Sequence, residues 1–183
     1  MKWSTLYISQ NVLLPCFAYA AVLLPTAKII YIGGIEKQLL IPPRLVDIKM
    51  VRLFDTKSFT CSTKQTTGAN IVSRAGHAAI LTQNDINTWE WSIPKIPQKD
   101  APPSLTLHSA TIFENYMIIS FGLIVSQLSQ QGAAALDNIY ILDIRNYTWI
   151  TVATINNLES IPVPINPSLS TPTLIIVVTS VAA

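Results

Sequence analysis

Charge is what this chain has least of. Asp, Glu, Lys and Arg make up only 12% of its 183 residues, about half the usual share of a soluble domain, while 50% are apolar and the net charge is +2. That balance excludes a disordered polar chain and the strongly basic surface a polyanion requires, so no nucleic-acid partner is expected. Cysteine is almost missing as well. Cys16 and Cys61 form no C-x-x-C pair and stand near no His at metal spacing, which excludes a disulfide framework and a structural zinc site. No Ser-His-Asp order, phosphate loop or HExxH is present, so the common signatures of hydrolases, nucleotide-binding proteins and zinc proteases are absent too.

What is there is an internal repeat. Asp143-Ile-Arg-Asn-Tyr147-Thr-Trp149 repeats the pattern of Asp85-Ile-Asn-Thr-Trp89-Glu-Trp91 and, more loosely, that of Asp55-Thr-Lys-Ser-Phe59-Thr-Cys61. In each copy an Asp stands four residues before an aromatic and six before a Trp or Cys. Repeats decide architecture before local propensity does. The Asp-to-aromatic interval reads as a tight hairpin, with the carboxylate accepting backbone N–H bonds inside the turn. Asp55, Asp85 and Asp143 are therefore turn residues and not a catalytic carboxylate set. Cys61 fills the slot of Trp91 and Trp149, which predicts a small buried apolar residue.

A second element precedes each Asp pattern. Phe17-Ala-Tyr19-Ala-Ala-Val-Leu-Leu24, Ala75-Gly-His77-Ala-Ala-Ile-Leu-Thr82 and Thr106-Leu-His108-Ser-Ala-Thr-Ile-Phe113 align without gaps, and all three read as short strands. In the first and third copies a second strand follows and ends in glycine, at Gly33-Gly34 and at Gly122, where a sharp reversal and close backbone approach are allowed. A complete unit is four strands. The middle unit is short: His77 stands 8 residues before Asp85, whereas Tyr19 stands 36 before Asp55 and His108 stands 35 before Asp143. The missing stretch would hold the second and third strands.

Four short strands per unit, a glycine closing the second and an aromatic pair after the third resemble the kelch repeat, the blade of a β-propeller. The residues that carry the likeness are Gly33, Gly34 and Phe59; His77, Trp89 and Trp91; and Gly122, Tyr147 and Trp149. It spans roughly residues 16 to 152 and is similar to the fungal kelch and galactose-oxidase central-domain group. Gly122 lacks a glycine partner, Cys61 replaces a Trp, and the middle unit is incomplete. The resemblance implies an all-β chain: a partial kelch-type propeller of two four-stranded blades plus a truncated one. Its ring would not close, since closure takes roughly four to eight blades. Open sheet edges would then invite self-association.

The flanks form separate segments. Residues 1–15 read as a weak secretory signal or the end of a preceding blade: Met1-Lys2 leads to an apolar stretch with Ala18-Tyr19-Ala20 as a cleavage pattern, interrupted by Ser9, Gln10, Asn11 and Pro15. Residues 153–183 read as a Pro- and polar-rich linker and an apolar tail. Thr173 to Ala183 is an uncharged run of eleven residues, about half a membrane span, so membrane association through residues 173–183 is expected, with an ordinary β segment as the alternative. Together the flanks point to a cell-surface or membrane-associated protein, and otherwise to a cytoplasmic one.

The galactose oxidase likeness invites a copper site at His77 and His108. Their equivalent repeat positions instead predict structural histidines in separate units, with Tyr19 in the same slot, so no metal, cofactor or catalytic residue is assigned. Asn146-Tyr-Thr148 is a glycosylation acceptor pattern, meaningful in a secreted chain, though turn chemistry alone accounts for it. Candidate binding residues lie in the loops after strands two and four: Lys37, Arg44, Lys49, Lys64, Lys95 and Lys99, in segments stiffened by proline. Rigid loops on a β scaffold are a common place for recognition. The expected function is a non-enzymatic protein-interaction or scaffold module with a protein partner. The alternatives are a galactose-oxidase-like copper oxidase and a non-functional fragment of a longer propeller.

Overall fold

The computed structural model describes residues 5, 6, 8, 11–82, 89–129 and 135–150. Strands β1 (Cys16–Phe17), β2 (Ala20–Leu23), β3 (Lys28–Ile32), β4 (Ile35–Gln38), β5 (Ile41–Leu45), β6 (Met50–Asp55), β7 (Thr60–Gln65) and β8 (Thr67–Gly68) come first. After a stretch without strands come β9 (Glu90–Trp91), β10 (Leu105–Thr106), β11 (Ser109–Phe113), β12 (Tyr116–Ser120), β13 (Leu123–Ile124), β14 (Ile139–Asp143) and β15 (Thr148–Ile150). The chain is all-β. Its one helical element among the described residues is a 3-10 turn, Val125–Gln127, and no helix there is long and apolar enough to cross a membrane.

Two four-stranded antiparallel sheets dominate, ordered β2-β3-β6-β7 and β11-β12-β14-β15. Neither closes on itself. Their strands carry β-branched and aliphatic residues with a period of two, so one face of each goes inward. Ile30 and Ile32 are fully buried in the first sheet, and Met117, Ile119 and Leu142 in the second. Cys61 is buried opposite Phe54. Both sheets end in the same hairpin. Asp55 pairs with Thr60 and Asp143 with Thr148, and Asp55 Oδ1 accepts the N–H groups of Lys57 at 2.9 Å and Ser58 at 3.0 Å. Asp143 Oδ1 accepts the N–H of Arg145 at 3.0 Å. The aromatic four residues after each Asp, Phe59 or Tyr147, takes a left-handed conformation, with φ 56° and 57°. That position completes the turn and is strained for a bulky side chain.

The middle copy departs from its expected strand. Residues 69–82 contain none, because the shortened unit supplies no neighbour to hydrogen-bond a ladder. The segment instead lies between the two sheets. Ala79 and Leu81 pack against the core of the first sheet, while Ile80 belongs to that of the second. The aromatic pair of this copy has also been captured: Trp91 is buried in the first core, with Trp89 packed against it. Its Nε1 donates to Thr66 Oγ1 at 2.7 Å, and β9 pairs parallel with β8. Asp85, residues 1–4 and 153–183 lie outside the described residues.

The three copies do register at one point. The Gly76 N–H donates to the Ala18 carbonyl at 2.8 Å, and the Leu107 N–H donates to the Gly76 carbonyl at 2.7 Å. These residues directly precede Tyr19, His77 and His108, and all three are left-handed, with φ 54°, 69° and 57°. At Gly76 a Cβ would stand 2.1 Å from Thr106 Oγ1, so glycine is required there on both steric and conformational grounds. Gly76→Ala is expected to lower stability by about 2–3 kcal/mol, measured by urea denaturation, whereas Ala at the exposed Lys95 leaves the midpoint unchanged.

Candidate functional site

The sixteen residues after Gly34, Ile35 to Met50, were expected to be a loop, and Ile35 to Leu45 form a β-hairpin. β4 and β5 pair with Ile35 opposite Leu45, Glu36 opposite Arg44 and Gln38 opposite Ile41, with a bulge between Glu36 and Gln38. β1 pairs along the other side of β4, Cys16 opposite Glu36. The same geometry recurs in shorter form in the second unit, where β10 pairs with β13. Leu39 and Leu40 form the two-residue tip. Leu40 has φ 69°, a conformation that favours glycine or asparagine in such turns.

The tip is fully in solvent. Leu39 is 92% exposed, Leu40 97% and Ile41 51%, and Lys37, Gln38 and Pro42 join them around an open depression of about 410 Å³. All of β5 is exposed. An aliphatic turn that buries nothing adds nothing to the core and occupies a strained backbone position. Folding gives no reason for it.

Below the tip the hairpin is locked by one carboxylate. Glu36 is buried, and its Oε1 accepts from Gln38 Nε2 at 3.1 Å, Arg44 Nε at 3.3 Å and Arg44 Nη2 at 2.9 Å. Its Oε2 accepts from Arg52 Nη2 of β6. Burial pushes the Glu36 carboxyl up, but the hydrogen bonds from Arg44, Gln38 and Arg52 together outweigh it and hold it below the usual carboxylate range. Two guanidiniums face one carboxylate, so the cluster keeps one positive charge. Arg52 also lines a cavity of about 180 Å³ with Leu13, Leu14, Cys16, Tyr19, Tyr31 and Gly33. The two tyrosine rings there meet edge to face at 5.2 Å, and burial raises the Cys16 thiol above its ordinary value.

The six sequence candidates divide. Lys37 and Arg44 come together on the hairpin, and Lys49 lies half-buried just before β6. Lys64 is in the edge strand β7 and not in a loop. Lys95 and Lys99 are exposed on the strandless stretch before β10. Glu36, Arg52, Leu39 and Leu40 were missed, although an uninterrupted apolar run, Leu39-Leu40-Ile41-Pro42-Pro43, was an available signal. Asn146 is exposed in the β14–β15 turn, where its Oδ1 accepts from the Thr148 N–H at 3.1 Å and from Thr148 Oγ1 at 2.7 Å.

The histidines are buried beside the glycines that close strand two. A Cβ on Gly33 would stand 2.8 Å from His77 Cε1, and one on Gly122 would stand 2.8 Å from His108 Cβ. Burial, with smaller contributions from Arg74 and His108, pushes His77 down to about 4. Burial likewise lowers His108. Neither ring nitrogen of His77 has a hydrogen-bond partner among the described residues. Among the described residues, no three His, Cys, Asp or Glu side chains converge there as a metal-holding group.

Two measurements follow from these environments. Glu36→Gln leaves Arg52 facing no carboxylate and is expected to lower stability by about 3 kcal/mol at neutral pH in urea denaturation. The stabilisation by Glu36 is present above its unfolded value of about 4.3 and is lost as the pH falls through its lower folded value, so the variant lacks that acid-dependent part. His77 acts in a higher window. It stays neutral in the fold, so its stabilisation is complete above about pH 6.5 and falls by about 3 kcal/mol as the pH drops toward 4. In His77→Phe, urea midpoints measured across that window are expected to fall markedly less. Compared with known protein families and with curated proteins, the chain matches none.

Proposed function

We propose that the chain is a non-enzymatic interaction or scaffold module of kelch type, with its main contact surface on the β4–β5 hairpin. In this reading the two four-stranded sheets are propeller blades, and residues 71–82 with Trp89 and Trp91 are the remnant of a third. Equivalent backbone positions support it: Gly33 and Phe121 at φ 57° and 60°, Gly34 and Gly122 at 93° and 97°, Phe59 and Tyr147 at 56° and 57°. Two blades and a remnant leave the ring open, because closure takes roughly four to eight. The open ends are then surfaces for a second copy or for further blades.

One observation carries the functional part. Leu39 and Leu40 are exposed at 92% and 97% on a hairpin whose base is fixed by Glu36, and a rigid apolar projection with no place in the core is a contact surface.

The test is affinity recovery with the full chain. Leu39→Ser with Leu40→Ser is expected to lose the bound material that the unaltered chain retains, with β-sheet circular dichroism unchanged, while Lys64→Ala on the edge strand retains it. Recovery of the same material by the tip variant excludes the hairpin as the contact surface.

A further inference from the structure

We propose that the β4–β5 hairpin tip is a wedge that enters an anionic lipid surface. The inference rests on the reading of that hairpin as the contact surface and names its partner. Three observations favour a bilayer over a protein groove. The tip projects into solvent: Leu39 and Leu40 are 92% and 97% exposed and the depression among its residues is open, so the partner must supply nearly all of the apolar surroundings, as an acyl boundary does without any matching pocket.

The charge pattern is layered. Residues 38–43 contain no ionisable group, and just below them stand Lys37, exposed, and Arg44, whose side chain is 68% exposed. Arg44 directs Nε and one Nη2 donor at Glu36; a guanidinium has five N–H donors, so the rest remain for phosphate oxygens. The Glu36 carboxylate is buried and shared by two guanidiniums, which leaves the belt below the tip positive. Asp47, exposed beyond β5, is the nearest other acid in sequence. Aliphatic residues ahead of a cationic belt match the depth order of an anionic membrane, acyl chains beneath phosphates.

The hairpin is also held stiff. β1 pairs along the free side of β4, the Glu36 to Arg52 pair ties the hairpin to the first sheet, and Pro42 and Pro43 limit its backbone. A tip ordered in advance gives up little freedom on insertion.

The experiment is co-sedimentation of the full chain with vesicles. One set is phosphatidylcholine alone, and the other is phosphatidylcholine and phosphatidylserine in equal parts. The unaltered chain is expected to bind the mixed vesicles and not the neutral ones, with binding weakened by added salt. Leu39→Ser and Leu40→Ser each lower the partition coefficient about tenfold. Lys37→Glu, which keeps both leucines, also abolishes binding. Failure of the unaltered chain to sediment with mixed vesicles overturns the lipid proposal, as does undiminished binding by the serine variants. If no vesicle binds but the serine variants lose a protein in affinity recovery, the lipid proposal falls and the contact surface stands. If neither readout changes, both fall.

Discussion

Two backbone hydrogen bonds in series, Leu107 to Gly76 and Gly76 to Ala18, are the constraint on which the rest of the structure depends. They join three repeat copies that are far apart in sequence, and they form only because each residue adopts a left-handed conformation that turns its amide and carbonyl toward its neighbours. With that line in place, Arg74 accepts the Gly34 N–H at 2.9 Å, His77 comes to rest against Gly33, and residues 79–81 enter the space between the sheets. A buried amide left unpaired costs on the order of 1–3 kcal/mol, so a shift at Gly76 would be felt in both sheets.

Among the described residues two carboxylates are buried, Asp143 beside Arg145 and Glu36, and the larger cluster forms around Glu36. In a chain with so few ionisable groups, Glu36 collects two arginines and a glutamine, and through them connects the hairpin to the first sheet. Replacing such clusters with apolar residues is often neutral, whereas removing one member is costly. The cluster therefore specifies an arrangement more than it adds stability. It fixes which side of the hairpin faces inward, and so which residues reach its tip.

Much of this was legible in the sequence, and the reason is the repeat. Two copies of the same strand, glycine, strand, Asp and aromatic order gave both four-stranded sheets their strand order and the hairpin at each Asp. Cys61 was readable as a buried residue from its slot alone. The middle copy was not readable as it stands: Ala75 to Thr82 has the local pattern of a strand, but ladder formation depends on partners that local pattern does not encode. The hairpin was hidden for a related reason. Prolines at 42 and 43 suggested a stiff loop, yet edge strands tolerate proline, and β5 is such an edge. Glu36 and Arg52, 16 residues apart and on different sheets, carry no spacing signal at all.

Leu40 has a consequence for anyone who would make this protein more robust. Its left-handed backbone and solvent-facing side chain mark it as the residue a stability-guided redesign would replace first, with glycine or asparagine. Such a change would relieve the turn and improve solubility together. It would also blunt the projection at the tip, so on the reading proposed above the better-behaved protein would be the one that had lost its contact surface.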